Sequence, residues 1–432
     1  MSILMDAELM VMPDVPFPRG MRDLLPNEAL FRNELLKKVE SVFQRYGFLT
    51  IDTPTLESVK VLKAKGGIGE DTKLIFETKN DDLALRYDFT VSLARYIAMH
   101  QGLPLPFKRY MIGKAWRREE PQRLRYREFT QADVDIVGGD TVYADAEVIS
   151  TVAKALDEIG ISYFIRINNR AMMDSLITSF GVKSEQFMEV LRAIDKLDKL
   201  GRDKVVDLLE SIGLNRDQIS RIDDLINMQG TNDEKLDFAA TASKSGSVDE
   251  LRSTIALAES YGINGAIKLD FSAVRGFDYY TGMVMEIAST EGEKSALGAG
   301  GRYDKLIGLY SGKSLPATGA SIGIDRLLDM MGFSESPKQT YSKLFVINVK
   351  ESNYKYALKV ANWFRDKGIA TDINLSTRNI SNQLSYANSL KFGYAAIIGD
   401  VEEQAGKLKL RNLVSGDESV LAPEEALAAM SK

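Results

Sequence analysis

Two strand patterns, Arg109 to Arg117 and Tyr126 to Val137, are separated only by a charged loop around Pro121-Gln122-Arg123. Strands joined so closely pair antiparallel, because a parallel return needs a crossover of about a dozen residues or more. Neighbouring segments follow the same logic. Ala29 to Tyr46 keeps its apolar residues at helical spacing and stops at Gly47. Phe48 to Thr53 then reads as a strand ended by Pro54. Leu74 to Phe76 and Leu83 to Arg86 read as strands around the turn Lys79-Asn80-Asp81-Asp82, and Thr90 to about His100 as a helix. Ile267 to Phe271 and Met283 to Ala288 are strand-like. Thr318 to Ile324 is a small-residue strand ahead of a helix from Asp325 to Met331. Hairpins alternating with helices specify an α+β domain on an antiparallel sheet.

At 432 residues the chain exceeds one ordinary domain. Residues 171–265 depart from the hairpin pattern. They are rich in Leu, Ile, Asp and Lys at helical spacing, are punctuated by Gly181, Gly201 and Gly213, and carry 17 acidic against 11 basic side chains. They read as a helical insertion. Composition changes again at Ser334-Glu335-Ser336-Pro337. Beyond it, strands at Lys343 to Val349, Ala370 to Leu375, Tyr394 to Ile398 and Lys407 to Leu413 enclose helices at Tyr354 to Lys367 and Ile380 to Lys391. That βαβαβ order predicts a compact α/β domain with a mostly parallel sheet. The expected organisation is a body of residues 1–170 and 266–334, an insertion at 171–265 and a terminal domain at 338–432.

There is no cysteine, and His100 is the only histidine. Disulfides, thiolate metal sites and cysteine nucleophiles are excluded, and no zinc is expected. A Ser-His-Asp triad would have to pass through His100, which follows a helical run and reads as a surface or capping residue. The opening MSILMDAELMVM lacks the basic leader and long apolar core of a secretory signal. No stretch approaches the ~20 apolar residues of a membrane span, so a soluble cytoplasmic protein is expected. The net charge of -6 is unevenly spread. Residues 107–127 hold 8 basic and 2 acidic side chains, whereas 341–432 are close to neutral with 12 and 10. The basic stretch suits phosphates although the whole chain is acidic.

Of the glycine-rich tracts, Gly312-Lys313-Ser314 fails as a phosphate loop. Ile307 stands where the earlier glycine is needed, and no helix follows. Gly298-Ala299-Gly300-Gly301 lacks a dinucleotide fingerprint's third glycine and reads as a tight turn or a close backbone contact. Gly66-Gly67-Ile68-Gly69 reads as a loop. The run Trp116 to Phe129 is more telling. On a hairpin Arg117 and Glu119 share one face, as do Arg125 and Arg127 on the return strand. A guanidinium fork suits a phosphate, and a neighbouring carboxylate suits an amine or magnesium. A solvated charged hairpin is the alternative.

Arg117 to Asp135, with its Pro-Gln loop and Glu-Phe-Thr-Gln-Ala-Asp-Val-Asp continuation, resembles motif 2 of histidyl-tRNA synthetases. Pro18-Arg19-Gly20-Met21-Arg22-Asp23 resembles that family's N-terminal signature, and Gly47 to Leu56 its dimer-forming motif 1. Val274-Arg275-Gly276-Phe277-Asp278-Tyr279-Tyr280-Thr281-Gly282 resembles its histidine-specific segment. Gly300 to Asp304 and Gly319 to Leu328 resemble the following glycine-rich strand turn and motif 3, and the terminal unit resembles an anticodon-binding domain. The likeness spans residues 16 to 430. Three departures stand out. Leu124 replaces a common glycine, Asp88-Phe89-Thr90 replaces Glu-Gly-Thr, and Asp135 replaces a glutamate. The last two changes keep a carboxylate and resemble the archaeal and eukaryotic branch.

The resemblance implies a class II synthetase: an antiparallel-sheet catalytic domain with a helical insertion, and a C-terminal α/β anticodon-binding domain. It implies that histidine, ATP with Mg2+, and tRNA(His) are the partners, and that the chain is a homodimer. Arg117 would grip the α-phosphate, Glu119 would face the adenine or a magnesium ion, and Arg125 and Arg326 would complete the ATP site. Arg275 would bridge the substrate carboxylate and the α-phosphate. Asp88 and Thr90 would hold the α-amino group, with Gln131, Asp135, Tyr279, Tyr280 and Tyr303 forming the rest of the histidine pocket. Strand packing is the alternative for Tyr279 and Tyr280. The rival readings are a non-catalytic regulatory subunit of ATP phosphoribosyltransferase, another class IIa synthetase, and a stress-sensing module on this fold. Retention of Arg117, Arg275, Arg326 and the terminal α/β unit argues against the first. The segment at Arg275 argues against the second, and the lack of a kinase-like region against the third.

Overall fold

The computed structural model describes residues 16–64, 74–242, 246–263, 265–277, 279–291, 296–332, 339–376 and 379–430. The opening residues, the Gly66 to Gly69 loop, the Ser334 to Pro337 linker and Asp278 lie outside them. Two compact units emerge. One comprises the segment up to Arg22 with Leu36–Met330, the other Asp23–Leu35 with the segment from Met331.

The first unit is built on ten strands. They are β1 (Leu49–Thr50), β2 (Leu56–Ser58), β3 (Leu83–Leu85), β4 (Phe107–Trp116), β5 (Glu128–Val137), β6 (Tyr163–Asn169), β7 (Ile267–Leu269), β8 (Met283–Ser289), β9 (Ala296–Arg302) and β10 (Ala317–Gly323). Eight form one sheet in the order β1-β4-β5-β10-β9-β8-β6-β7, while β2 and β3 form a separate ribbon. All pairings in the large sheet are antiparallel except those of its two end strands, β1 with β4 and β7 with β6. Between β6 and β7 the described chain is helical from Arg170–Ser179 to Ser247–Ser260.

Some elements differ from the sequence expectation. The first helix starts at Pro26, ahead of Ala29. Proline suits a first helical position, and Glu28 accepts a hydrogen bond from the backbone N–H of Leu25 at 2.7 Å. The strand expected over Phe48 to Thr53 shrinks to two residues: Leu49 and Thr50 pair with β4, and Ile51 adds a single hydrogen bond to the Tyr110 carbonyl at 3.2 Å. Leu74 to Phe76 forms no strand; Glu77 makes a lone bridge to Ala84. Gly298 to Gly301 is no turn but lies inside β9. His100 closes the helix Thr90–Met99 with its N–H on the Tyr96 carbonyl at 3.0 Å, and is exposed.

Cross-strand pairs give the sheet two unlike faces. Arg109 pairs with Asp135, Asp135 with Gly319, and Gly319 with Gly301. In the next row on the same face Met111 meets Asp133, Asp133 meets Ser321, and beyond Ala299 comes Glu286. Gln131 opens the third row. Alternate residues point the other way. There Val134, Ile136, Ala320, Ile322, Met285 and Ile287 form an apolar face. The helix Thr141–Glu158 covers it, tied by the buried ion pair of Asp145 with Arg302 at 2.8 Å. The helix Thr90–Met99 closes one end of the polar face, packing Leu93, Ala94 and Ile97 with Phe107, Val137 and Ala317.

The second unit carries β11 (Leu344–Asn348), β12 (Thr371–Ile373), β13 (Tyr394–Ile398), β14 (Leu408–Asn412) and β15 (Glu418–Leu421) in the order β12-β11-β13-β14-β15. The mostly parallel sheet expected here is instead mixed. β12 and β13 flank β11 in parallel, but β14 and β15 add antiparallel pairings. β11 is buried on both faces. Leu344 and Val346 pack with the helix Tyr354–Asp366, and Phe345 and Ile347 with the helix Ile380–Ser389.

Candidate active site

On the polar face, two groups of side chains gather with opposite charge. The first is built on the middle of β5. The guanidinium of Arg109, fully buried, lies 2.6 Å from Asp135. The Tyr303 hydroxyl donates to the other oxygen of the same carboxylate. Tyr303 stacks on Tyr279 at 5.5 Å, and Tyr279 touches Tyr280 at 5.0 Å. Asp88, held by the backbone N–H of Val91 at 3.1 Å, faces this group ahead of Thr90, the first residue of its helix. Its charge is felt at Asp133, Asp135, Tyr279 and Tyr280. Burial raises the Asp135 carboxyl, opposed by Arg109 and by the Tyr303 hydrogen bond. Three carboxyls thus converge with one buried arginine, a balance that favours a cationic ligand.

Glycines keep this floor open. A Cβ on Gly319 would sit 2.0 Å from the Asp135 carboxylate. One on Gly301 would meet the Met283 carbonyl at 2.6 Å and the Tyr280 ring at 2.8 Å. Side chains there would displace the groups that line the site.

The second group surrounds Arg326, at the start of the helix Ile324–Met330. Burial lowers its proton affinity, and so do Arg275, Arg125 and Arg117, against which Glu119 works. Arg326 is anchored by the carbonyl of Ala296. Arg117 donates to the Tyr87 carbonyl at 3.1 Å and lies over the Phe129 ring at 5.1 Å. Glu119 is clamped by Arg125, one bond being 2.8 Å, a pairing the hairpin reading did not anticipate. Four cations around Glu119, with Glu286 near Arg275, form a ready site for a polyanion. Arg275 is more than half exposed, 3.7 Å from Glu286. Its charge reaches both Arg326 and Tyr280, a member of each group.

The segment at Pro18 buttresses the second group. Arg22 spans Asp325 and Asp329 at 2.7 Å each, fixing the helix that presents Arg326. Asp325 in turn accepts from the N–H of Thr130 on β5 at 2.5 Å. Leu124, in place of a glycine, adopts a left-handed φ of 62° at the loop tip.

All twelve residues singled out from the sequence fall in or beside these two groups. Sequence reasoning passed over Arg109, Asp133 and Ser321. Asp133 had a signal in the alternation of Gln131, Asp133 and Asp135, which a strand puts on one face, whereas Arg109 and Ser321 join it only through cross-strand register. Among the described residues no cluster of three or more acidic or histidine side chains could by itself hold a metal ion. Glu119 is the acidic group beside the arginines, so a magnesium ion here would be held chiefly by a triphosphate, with Glu119 as a single protein contact.

The antiparallel sheet with its paired charge groups has the architecture of a class II aminoacyl-tRNA synthetase. The sequence model of the histidyl-tRNA synthetase family matches residues 20–327, and that of an anticodon-binding domain matches 343–432. A histidine–tRNA ligase of Korarchaeum cryptofilum is 39% identical over 408 residues, 92% of this chain and 94% of that protein. One from Aeropyrum pernix is 36% identical over 433 residues, 96% and 97% of the two chains. The crystal structure of histidyl-tRNA synthetase from Nostoc sp. PCC 7120 superposes with a TM-score of 0.85 at 30% identity, covering 97% of this chain and 99% of that one. The chain belongs to the histidyl-tRNA synthetase family.

Proposed function

We propose that the chain is a histidine–tRNA ligase. It activates histidine with ATP to histidyl-adenylate and pyrophosphate, then transfers histidine to the 3′ end of tRNA(His). What supports this reading is a carboxylate–tyrosine group and an arginine group, with the charge of Arg275 reaching a member of each, in a chain of this family. Asp88, Thr90, Gln131, Asp135, Tyr279, Tyr280 and Tyr303 bind the amino acid. Arg117, Glu119, Arg125 and Arg326 bind ATP.

The first step needs no base, because the amino-acid carboxylate is already ionised. Its oxygen bonds to the α-phosphorus as the bond to pyrophosphate breaks. Catalysis is then positioning and charge stabilisation. Arg117 and Arg275 supply positive charge at the α-phosphate, and Arg326 holds the γ-phosphate. Glu119 would be the protein's contact for a magnesium ion brought with ATP, which would neutralise phosphate charge. In the second step a terminal ribose hydroxyl of the tRNA attacks the adenylate carbonyl and AMP leaves. A pocket that hydrogen-bonds its substrate rejects analogues lacking those groups.

The domains of this reading are a catalytic body, the helical insertion at 171–265 and an anticodon-binding unit from 338, which would read bases by stacking and edge contacts. It also takes the enzyme to be a cytoplasmic homodimer. β1 ends the large sheet and its Leu49 is exposed, which supports a partner there. No described helix is long and apolar enough to cross a membrane.

The test is amino-acid-dependent exchange of pyrophosphate into ATP, run with all twenty amino acids. Exchange with histidine alone, lost in Arg275→Ala, is expected. Exchange with a different amino acid overturns the pocket assignment. No exchange from folded protein favours a regulatory-subunit role.

A further inference from the structure

Asp133 lies inside the sheet's polar face and takes no part in the mechanism above. It is 4% exposed, and its Oδ1 has no hydrogen-bond partner among the described residues. A buried carboxyl without a full set of partners is costly, so its presence calls for an explanation. Its row on the sheet supplies one. Ser321 is its cross-strand partner on β10, and the Ser321 hydroxyl donates to the Asp133 carboxyl. Gln131, two residues before Asp133 on the same face, donates from Nε2 to Ser321 Oγ at 2.5 Å. The other end of that amide, Oε1, is buried and has no partner among the described residues.

The direction of this chain is dictated by Asp133. An ionised carboxylate only accepts hydrogen bonds, and when Asp133 takes a proton the unpartnered Oδ1 is free to carry it, which leaves the other oxygen an acceptor. Ser321 must therefore point its single proton at Asp133, which leaves Oγ to accept. The Gln131 amide answers with its NH2 group and presents its carbonyl oxygen as the free end. We infer that Asp133 is a positioning residue for amino-acid specificity. Acting through Ser321, it locks Gln131 Oε1 as an acceptor for an N–H of the bound amino acid. This deepens the reading of the site as an amino-acid pocket and rests on it.

The surroundings agree. Burial pushes the Asp133 carboxyl up to about 7; Arg109 opposes the shift, Asp135 and Asp88 add to it, and the Ser321 hydrogen bond lowers it. Arg86 and Tyr280 also feel its charge. Asp133 Oδ1 remains available to take a proton while the bond from Ser321 persists. An asparagine has nearly the same shape but both donates and accepts, so it no longer enforces the direction.

The experiment is pyrophosphate exchange by the full-length chain, with KM measured separately for histidine and ATP. Asp133→Asn should raise the histidine KM by about 10-fold or more, the scale of one misdirected hydrogen bond to a charged ligand. The ATP KM should stay within about twofold, as expected for loss of one-sided binding. Ser321→Ala, which leaves the carboxylate in place, should shift the histidine KM the same way. The double variant should be no worse than the more affected single, because both break one chain. A histidine KM unchanged in either folded variant overturns the inference, as does a parallel rise of both KM values. Should Asp133→Asn not fold, Ser321→Ala alone decides. Absence of histidine-dependent exchange in the unmodified protein would instead remove the functional reading beneath it.

Discussion

The carboxylate group on β5 and the arginine group around Arg326 share one sheet face, yet they hold their charges in different ways. Asp133 and Asp135 are buried on a strand, with neighbours fixed by register, and Arg109 is the ion-pair partner of Asp135. Arg117, Glu119 and Arg125 lie in and beside the loop beyond β4, and Arg275 is more than half exposed. The first group is shielded from water, so each missing partner is expensive. The second is built of like charges that solvent partly screens and that a polyanion would satisfy. Stability should therefore depend on the first group and catalysis on the second.

Arg109→Met tests that division most severely. It leaves Asp135 buried without its cation, and a loss of about 3–5 kcal/mol is expected in denaturant unfolding. A loss below about 1 kcal/mol would mean that the carboxylate group is not the structural one. On the other side, Arg275→Ala should slow adenylate formation by about 10²–10³-fold, the range for removing one preorganised charge at a transition state. The midpoint of thermal unfolding should hardly move. If the variant instead loses stability and keeps its rate, the comparison is inverted.

Gly319→Ala probes the floor between the groups. Its Cβ would have to displace the Asp135 carboxylate from 2.0 Å. The expected cost is about 1–3 kcal/mol, with a raised histidine KM. Unchanged binding would show that the open floor is not needed.

The pH dependence follows from the raised carboxyls. Asp133 holds its proton up to about 7 in the folded chain, against an ordinary value of 3.8. Between those values the folded state binds more protons than the unfolded one, so this residue's contribution to stability falls as pH rises. Asp133→Asn removes that slope. The melting temperature of the variant minus that of the unmodified chain should become more positive from pH 4 to pH 8. A flat difference would place Asp133 in water. The smallest effect is expected at Leu124, whose φ of 62° is a left-handed conformation. Leu124→Gly relieves that strain but adds chain entropy, for a net gain of about 0.5 kcal/mol and no change in histidine KM.

Much of the site was legible in the sequence because the motif residues keep recognisable spacing. Strand alternation grouped Arg117 with Glu119 and Arg125 with Arg127, whereas the contact of Glu119 with Arg125 forms across the loop beyond β4; the roles of Arg117, Arg275 and Arg326 came from likeness to a family. Arg109 was not legible. An arginine amid Phe107, Tyr110 and Met111 looks like an outward-facing charge until the register sets it against Asp135. Asp133 could be placed on one strand face with Gln131 and Asp135, but its partner Ser321 is remote in sequence and appears only with the register. The glycines of β9 read as a tight turn or a close backbone contact, and the second holds, because a Cβ there would meet carbonyls of the neighbouring strands.

The sequence by itself determined the antiparallel hairpin of β4 and β5, the helical run between β6 and β7, and the αβ alternation of the terminal unit. Each is set by local periodicity and short connections, which act within a few residues of the chain. Tertiary structure alone decided the mixed character of the second sheet, the two-residue length of β1 and which side chains share the polar face. Those outcomes depend on pairings between distant strands, and a register is a property of two segments that neither contains alone.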